Sequence, residues 1–245
     1  MRNIWIIAEK EFKHFFASPI AYVVSFAILL ILGIVFYANV LAGAMQQYAP
    51  SIQIITGPLV TLLLFTIPAI TMRSLAEEQK NGTLEILLTS PVRDWEVVIG
   101  KWLGGVLFIL LLLLVTWFFP LVLNKLVQPG IDQGLLVANY LGLFLMSACF
   151  LAIGVMTSSL FSNQIAAFFA SLGILMILWM ISLPAQAAGA GSAGSSLLQY
   201  LDLSEHFYST FYRGIVEVKD IVYFLSVTAL ALFLGSVSVE TRRWR

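Results

Sequence analysis

An active site in this chain would have to be built from two histidines, His14 and His206, one cysteine, Cys149, and thirteen carboxylates. Their types and spacing do not build one. A nucleophilic serine needs a base beside it, and the apolar runs that carry serines carry no histidine. An intramembrane protease needs paired carboxylates at membrane depth, and the runs lack those too. Gly100-Lys101-Trp102 misses both the upstream glycine and the magnesium-holding hydroxyl of a G-x-x-x-x-G-K-[ST] nucleotide loop. His14 and His206 fall on opposite sides of the topology drawn below, so they cannot share a metal, and each reads as a single interfacial residue. Cys149 reads as a small packing residue and leaves no intrachain disulfide. The chain is therefore not expected to be an enzyme, and any energy it uses must come from elsewhere.

What the residues do offer is a docking surface. Met72 to Pro91 is an island in which five of twenty residues are charged, while the runs Ile54 to Thr71 and Trp102 to Val122 carry no charge. Ser74 and Glu77 have capping-box spacing, and Gly82 breaks an acidic helix from an apolar one. Leu84, Ile86, Leu87 and Leu88 make that second helix too apolar for water, with Glu85 and Thr89 as its polar members. It must dock, either on a soluble partner or on its own bundle. Pro91 ends it, Asp94 is placed to cap the helix that follows, and Trp95 falls at the interface.

These residues are positioned by elements that cannot live in water. Charged residues are 11% of the chain against about 25% in soluble domains, and 60% are hydrophobic, so the protein is expected to be integral to a membrane. Its 13 basic and 13 acidic residues cancel, so no nucleic-acid partner is expected. Six runs are long enough to span: 20–41, 54–72, 101–123, 138–160, 165–183 and 221–239. None has an interior charge, which weighs against an ion-coupled carrier. With both termini inside, Arg2, Lys10, Lys13, Arg73, Lys80, Arg93, Lys101, Arg242, Arg243 and Arg245 are cytoplasmic, while Lys125, Arg213 and Lys219 fall outside. Ahead of the first run, Ile4, Trp5, Ala8, Phe12, Phe15 and Phe16 share one side of a helix that either lies in the interface or extends span one. Ile6 and Ile7 interrupt the polar side, and Ser18-Pro19 should break the chain before the membrane. The run itself is too long for a signal peptide. Pro68 can bend the exit of the second span.

The outer segment 184–219 opens with a Gly/Ala/Ser stretch and turns aromatic. Asp202 and Glu205 have cap spacing, Phe207, Tyr208, Phe211 and Tyr212 follow at near-helical intervals, Arg213 sits in the last turn, and Gly214 can stop the helix. It reads either as a helix dipping back into the outer leaflet or as an aromatic anchor at the interface.

Ile67-Pro68-Ala69-Ile70-Thr71-Met72-Arg73-Ser74-Leu75-Ala76-Glu77-Glu78 with Gly82-Thr83-Leu84-Glu85-Ile86-Leu87-Leu88-Thr89-Ser90-Pro91 resembles the cytoplasmic loop of ABC type-2 permeases. Glu11-Phe12 through Ser18-Pro19, Ala152 to Leu160 through Asn163-Gln164-Ile165, and Tyr212 to Val216 with Asp220 to Phe224 extend the likeness over nearly the whole chain. Within the family it is most similar to the gliding-motility-associated permease group. The resemblance implies an all-α fold, a single permease domain over 1–245. Its six spans would be joined by an elbow helix first, a cytoplasmic coupling helix in loop 73–100 and a re-entrant outer hairpin in 184–219. It implies a bacterial-type cytoplasmic membrane and a second permease chain, identical or related. It further implies two cytoplasmic ATP-binding subunits, which would hold the ATP and magnesium that this chain does not. ATP-driven closure would push the Thr83 to Thr89 segment and tilt spans two and three, opening an export path between protomers. In that scheme Glu77, Glu78 and Glu85 pair with the ATPase, Gly82 and Thr83 open the lever, and Leu84, Leu87 and Leu88 fill its cleft. A secondary carrier and a membrane anchor for a soluble enzyme are the alternatives. The uncharged walls favour an amphipathic or hydrophobic cargo and select nothing finer.

Overall fold

The computed structural model describes residues 2–46, 49–82, 92–183 and 193–243; they form helices and turns, with no strand among the described residues. Helix α1 (Arg2–Ala17) leads into α2 (Pro19–Gln46), α3 (Gln53–Thr71), the short α4 (Ala76–Lys80) and α5 (Asp94–Thr116), which α6 (Phe118–Leu126) continues. Then come α7 (Gln133–Leu160), α8 (Gln164–Met180), α9 (Ala193–Leu201), α10 (Leu203–Tyr208), a 3-10 turn at Phe211–Arg213 and α11 (Val218–Arg243). Among the described residues, five segments are long and apolar enough to cross a membrane: Ala21–Gln46, Gln53–Lys80, Asp94–Leu126, Gln133–Leu160 and Val218–Thr241. The apolar α8, at 17 residues, is at the short end of that range.

Two boundaries follow from local chemistry. Ser18 forms the bend between α1 and α2, and Pro19, which has no amide hydrogen to lose, opens α2. Helix α5 begins at Asp94, about two turns ahead of the apolar run that marks it in the sequence. Asp94 is the first residue of that helix and not its cap. Glu96 closes the end instead, its Oε2 accepting from the Arg93 amide at 3.0 Å and from Asn3 Nδ2 at 3.2 Å. The early start places Lys101 inside the helix.

Helix α7 is the central post, packed against α3, α5, α8 and α11. Its most apolar stretch is 78% buried, whereas that of α2 is 11% and that of α11 is 28%. Around α7 the core joins Leu59, Leu63 and Ile67 of α3, Phe108 and Leu112 of α5, Leu175 of α8 and Phe224 of α11. The outer helices turn large apolar side chains away from the protein, among them Phe26, Ile34 and Tyr37 of α2 and Phe233 of α11. A lipid environment removes the hydration cost that such an apolar surface would carry in water.

Close packing on α7 uses glycine. A Cβ on Gly142 would lie 2.6 Å from the Cβ of Phe211, and one on Gly154 would strike the Thr71 side chain. Gly33 of α2 faces open space. Gly142→Ala should therefore cost about 1–3 kcal/mol through overpacking, read as a lowered melting temperature in detergent. Gly33→Ala should leave the melting temperature unchanged or slightly raised, and equal effects of the two would show that the Gly142 contact is not native.

Candidate coupling site and outer hairpin

At the pole where Leu75 beside α4 and Val239 of α11 pack together with Val97 and Val98 of α5, α1 lies across α5. Gly100 and Gly104, four residues apart on α5, let it approach: a Cβ on Gly100 would sit 2.7 Å from Ile7, and one on Gly104 2.6 Å from Glu11. Ala8 is fully buried and Phe15 stacks on Phe108 with ring centroids 5.1 Å apart. The inward face thus includes Ile7, read from sequence as an interruption, and omits Trp5, which is 59% exposed. The face turns by one position because it is set by the glycine groove of α5 and not by apolarity alone.

Carrying α1 onto α5 brings Glu11 to Lys101, with Nζ and Oε1 2.6 Å apart. Glu78 of α4 approaches the same ammonium at 2.9 Å. The Lys101 side chain is only 3% exposed, so it needs both carboxylates to offset its desolvation. A cleft of about 230 Å³ opens beside this triad, lined by Lys10, His14, Arg73 and Glu77 as well. Glu78, expected to pair with a partner subunit, is turned inward to Lys101. Glu77 lines the cleft.

Helix α4 has only five residues and cannot satisfy its own end. The chain leaves α3 through a turn in which the Met72 amide still donates to Pro68 O at 2.9 Å and the Ser74 amide to Thr71 O at 2.9 Å. That turn moves the helix start to Ala76, one position past the register of the expected Ser74–Glu77 box, and Leu75 at the N-cap position supplies no side-chain cap. The cap comes from α7: Ser158 Oγ accepts from the Leu75 and Ala76 amides, both at 3.0 Å. Gln79 Nε2 adds a bond of 2.9 Å to Ser159 O, which also accepts from Ser238 Oγ of α11 at 3.2 Å. Gly82 has φ of 69°, the left-handed conformation that suits the expected break. Thr83, Leu84, Glu85, Leu87 and Leu88 lie outside the described residues.

At the opposite end, the aromatic segment packs into the bundle. Asp202 caps α10, accepting from the Ser204 amide at 2.7 Å and the Glu205 amide at 3.3 Å, and Ser182 donates to its other oxygen. Phe207 and Phe211 are fully buried, Tyr208 and Tyr212 partly so, and Arg213 is exposed. Gly214, with φ of 85°, ends the 3-10 turn and its amide donates to Phe211 O. Burial pushes the Tyr208 and Tyr212 phenols above their ordinary range. Three polar groups from the spans hold the hairpin. Asn139 Nδ2 donates to Phe211 O at 3.0 Å, Thr56 Oγ1 donates to Asn139 Oδ1 at 2.8 Å, and Gln53 Nε2 donates to Tyr212 O at 2.7 Å. His206 is likewise no isolated interfacial residue: its Nδ1 lies 2.6 Å from Asp220 Oδ1, its Nε2 donates to Tyr200 O at 2.9 Å, and its ring stacks on Tyr223.

Sequence reasoning missed Lys101, Ser158, Asn139 and the His206–Asp220 pair. The first three had a signal: a lone lysine between Gly100 and Gly104 at the edge of an apolar run, and isolated polar residues inside such runs, which need partners in lipid. Replacing Lys101 with Met should cost about 3–5 kcal/mol, because two carboxylates are left facing each other in a buried site. Adding Glu11→Gln and Glu78→Gln should recover most of that loss in thermal unfolding of the detergent-solubilised protein; a single Lys101→Met variant as stable as the parent would contradict the buried triad.

A family model described as ABC-2 family transporter protein matches residues 5–243. Among similar curated proteins, the probable ABC transporter permease protein NosY of Pseudomonas aeruginosa is 27% identical over 183 residues, which is 71% of this chain and 66% of that protein. The protein of the same name from Stutzerimonas stutzeri is 27% identical over 157 residues, 62% of this chain and 55% of its own length. The chain thus spans a little less than two thirds of the first relative and just over half of the second. Neither name carries a gliding-motility association, so the kinship shown is that of the family. With a match that runs from the first turn of α1 to the end of α11, and with helices long and apolar enough to cross a membrane, the chain belongs to the ABC-2 transporter family.

Proposed function

We propose that this permease lines the path of an exporter and takes its driving force from a cytoplasmic ATP-binding subunit through the segment 73–91. The observation that carries this reading is the anchoring of α4. One side is tied to α1 and α5 through Glu78, Lys101 and Glu11, and the other is capped by Ser158 of α7. A short helix held on both sides passes a push to several spans, whereas a free loop would absorb it. The apolar Leu84, Leu87 and Leu88 would fill a cleft in the partner, and Glu85, with Glu77, would orient the contact.

The basic residues gathered at this pole favour a cytoplasmic placement of both termini in a bacterial-type inner membrane. The sparsely buried α2 and α11 leave room for a second permease chain, identical or related, against which a path could form. ATP and magnesium belong to the partner subunit. The uncharged outward faces favour an amphipathic or hydrophobic cargo.

Deleting Gly82 to Ser90 should abolish copurification of the ATP-binding subunit while the permease remains folded. Glu85→Lys should keep the permease folded but sever ATP hydrolysis from transport in reconstituted vesicles. Coupling equal to the parent's in that variant would remove Glu85 from the lever, and transport by vesicles lacking the ATP-binding subunit would point to a secondary carrier.

A further inference from the structure

Resting on the lever reading above, we infer that Ser158 is a positioning residue that routes the motion of the lever into α7, the buried post of the bundle. Transmission through spans two and three alone would follow chain connectivity, since α3 precedes the loop and α5 follows it. The hydrogen bonds cross to another part of the molecule.

The Ser158 hydroxyl is fully buried and takes both leading amides of α4 at 3.0 Å, those of Leu75 and Ala76. Its own hydrogen points to Met72 O at 3.4 Å, the carbonyl at the exit of α3. One side chain from α7 therefore closes the turn between α3 and α4. The next residue doubles the tie: Ser159 O accepts from Gln79 Nε2 one turn along α4 and from Ser238 Oγ of α11. The α4 backbone donors have no N-cap side chain of their own to turn to, so losing the hydroxyl strands them in a buried place.

Rigidity of the receiving element matters as much as the contact. Helix α7 is the most buried span and touches α3, α5, α8, α11 and the outer hairpin. At its far end Asn139 holds the carbonyls of the hairpin, Phe211 O at 3.0 Å and Tyr212 O at 3.4 Å. A displacement entering at Ser158 thus has a continuous helix from the lever to the outer hairpin, with hydrogen bonds at both ends.

The test uses the permease with its ATP-binding subunit in lipid nanodiscs. Nitroxides are placed by Val137→Cys, near the end of α7 remote from Ser158, and by Tyr37→Cys on α2, both exposed positions. Buried Cys149 is left in place. The parent complex should change this distance between nucleotide-free and ATP-bound states. Ser158→Ala should speed hydrogen exchange at the Leu75 and Ala76 amides about tenfold, the loss of roughly one hydrogen bond's worth of protection. It should leave ATP hydrolysis within about twofold and cut the distance change by half or more. Gln79→Ala, outside α7, should cut it in the same direction and carries the test if Ser158→Ala does not fold.

A full-size distance change in Ser158→Ala and Gln79→Ala would overturn the inference, as would unaltered exchange at the two amides. A parent that shows no ATP-driven change, and that keeps its partner after deletion of Gly82 to Ser90, would overturn the lever reading itself. These failures are distinct, because in the first the parent still moves.

Discussion

A buried ammonium with two carboxylates governs the layout of the pole where α1, α4 and α5 meet. Lys101 cannot remain charged inside α5 without compensation, and no single partner within its own helix supplies it. Glu11 and Glu78 arrive from segments far apart in the chain, so satisfying one lysine draws the first helix and the island helix onto the third span together. The placement of α1, the direction in which α4 sets out and the cleft between them all follow from that one requirement. Nonpolar packing could be rearranged among many similar solutions, whereas three complementary charges admit few.

The membrane-long helices were legible because their cause is local. A run of twenty apolar residues has few alternatives in lipid, Ser18-Pro19, Gly82 and Gly214 act through their own backbone chemistry, and Asp202 caps with its side chain the helix that follows it directly. What escaped was set by contact between distant segments. Asp94 has the chemistry of a cap, but Glu96 also reached Asn3 of α1 and took the position. Ser74 and Glu77 have the spacing of a capping box, but the turn that ends α3 used up the register and a serine from another helix supplied the cap. Trp5 and Ile7 exchanged places relative to the apolar pattern because the groove between Gly100 and Gly104 chose the face. The same groove had been visible only as a failed nucleotide loop.

The spans contain more polar chemistry than their composition suggests, and much of it is turned to holding backbone. Asn139 and Gln53 are spent on the carbonyls of Phe211 and Tyr212, Thr56 on holding Asn139, and Ser158 on the amides of α4. In hydrocarbon a non-helical turn survives only when such side chains replace the missing water. The two departures from helix at opposite ends of α7 are therefore supported by the same device, one through carbonyls and the other through amides. Asp202 and His206 extend it along the hairpin, joining α10 to the end of α8 and the start of α11.

Gly100 and Gly104 have an electrical consequence as well as a steric one. Two missing side chains let α1 lie close enough to seal Lys101 from solvent, and the strength of its attraction to Glu11 depends on that seal, since water in the gap would raise the local dielectric and weaken it. The glycines act as a gasket. The thickness of the gap between two helices sets how strongly the charges beneath it feel one another, so a change of one methyl group, itself uncharged, would alter the electrostatics of the whole pole.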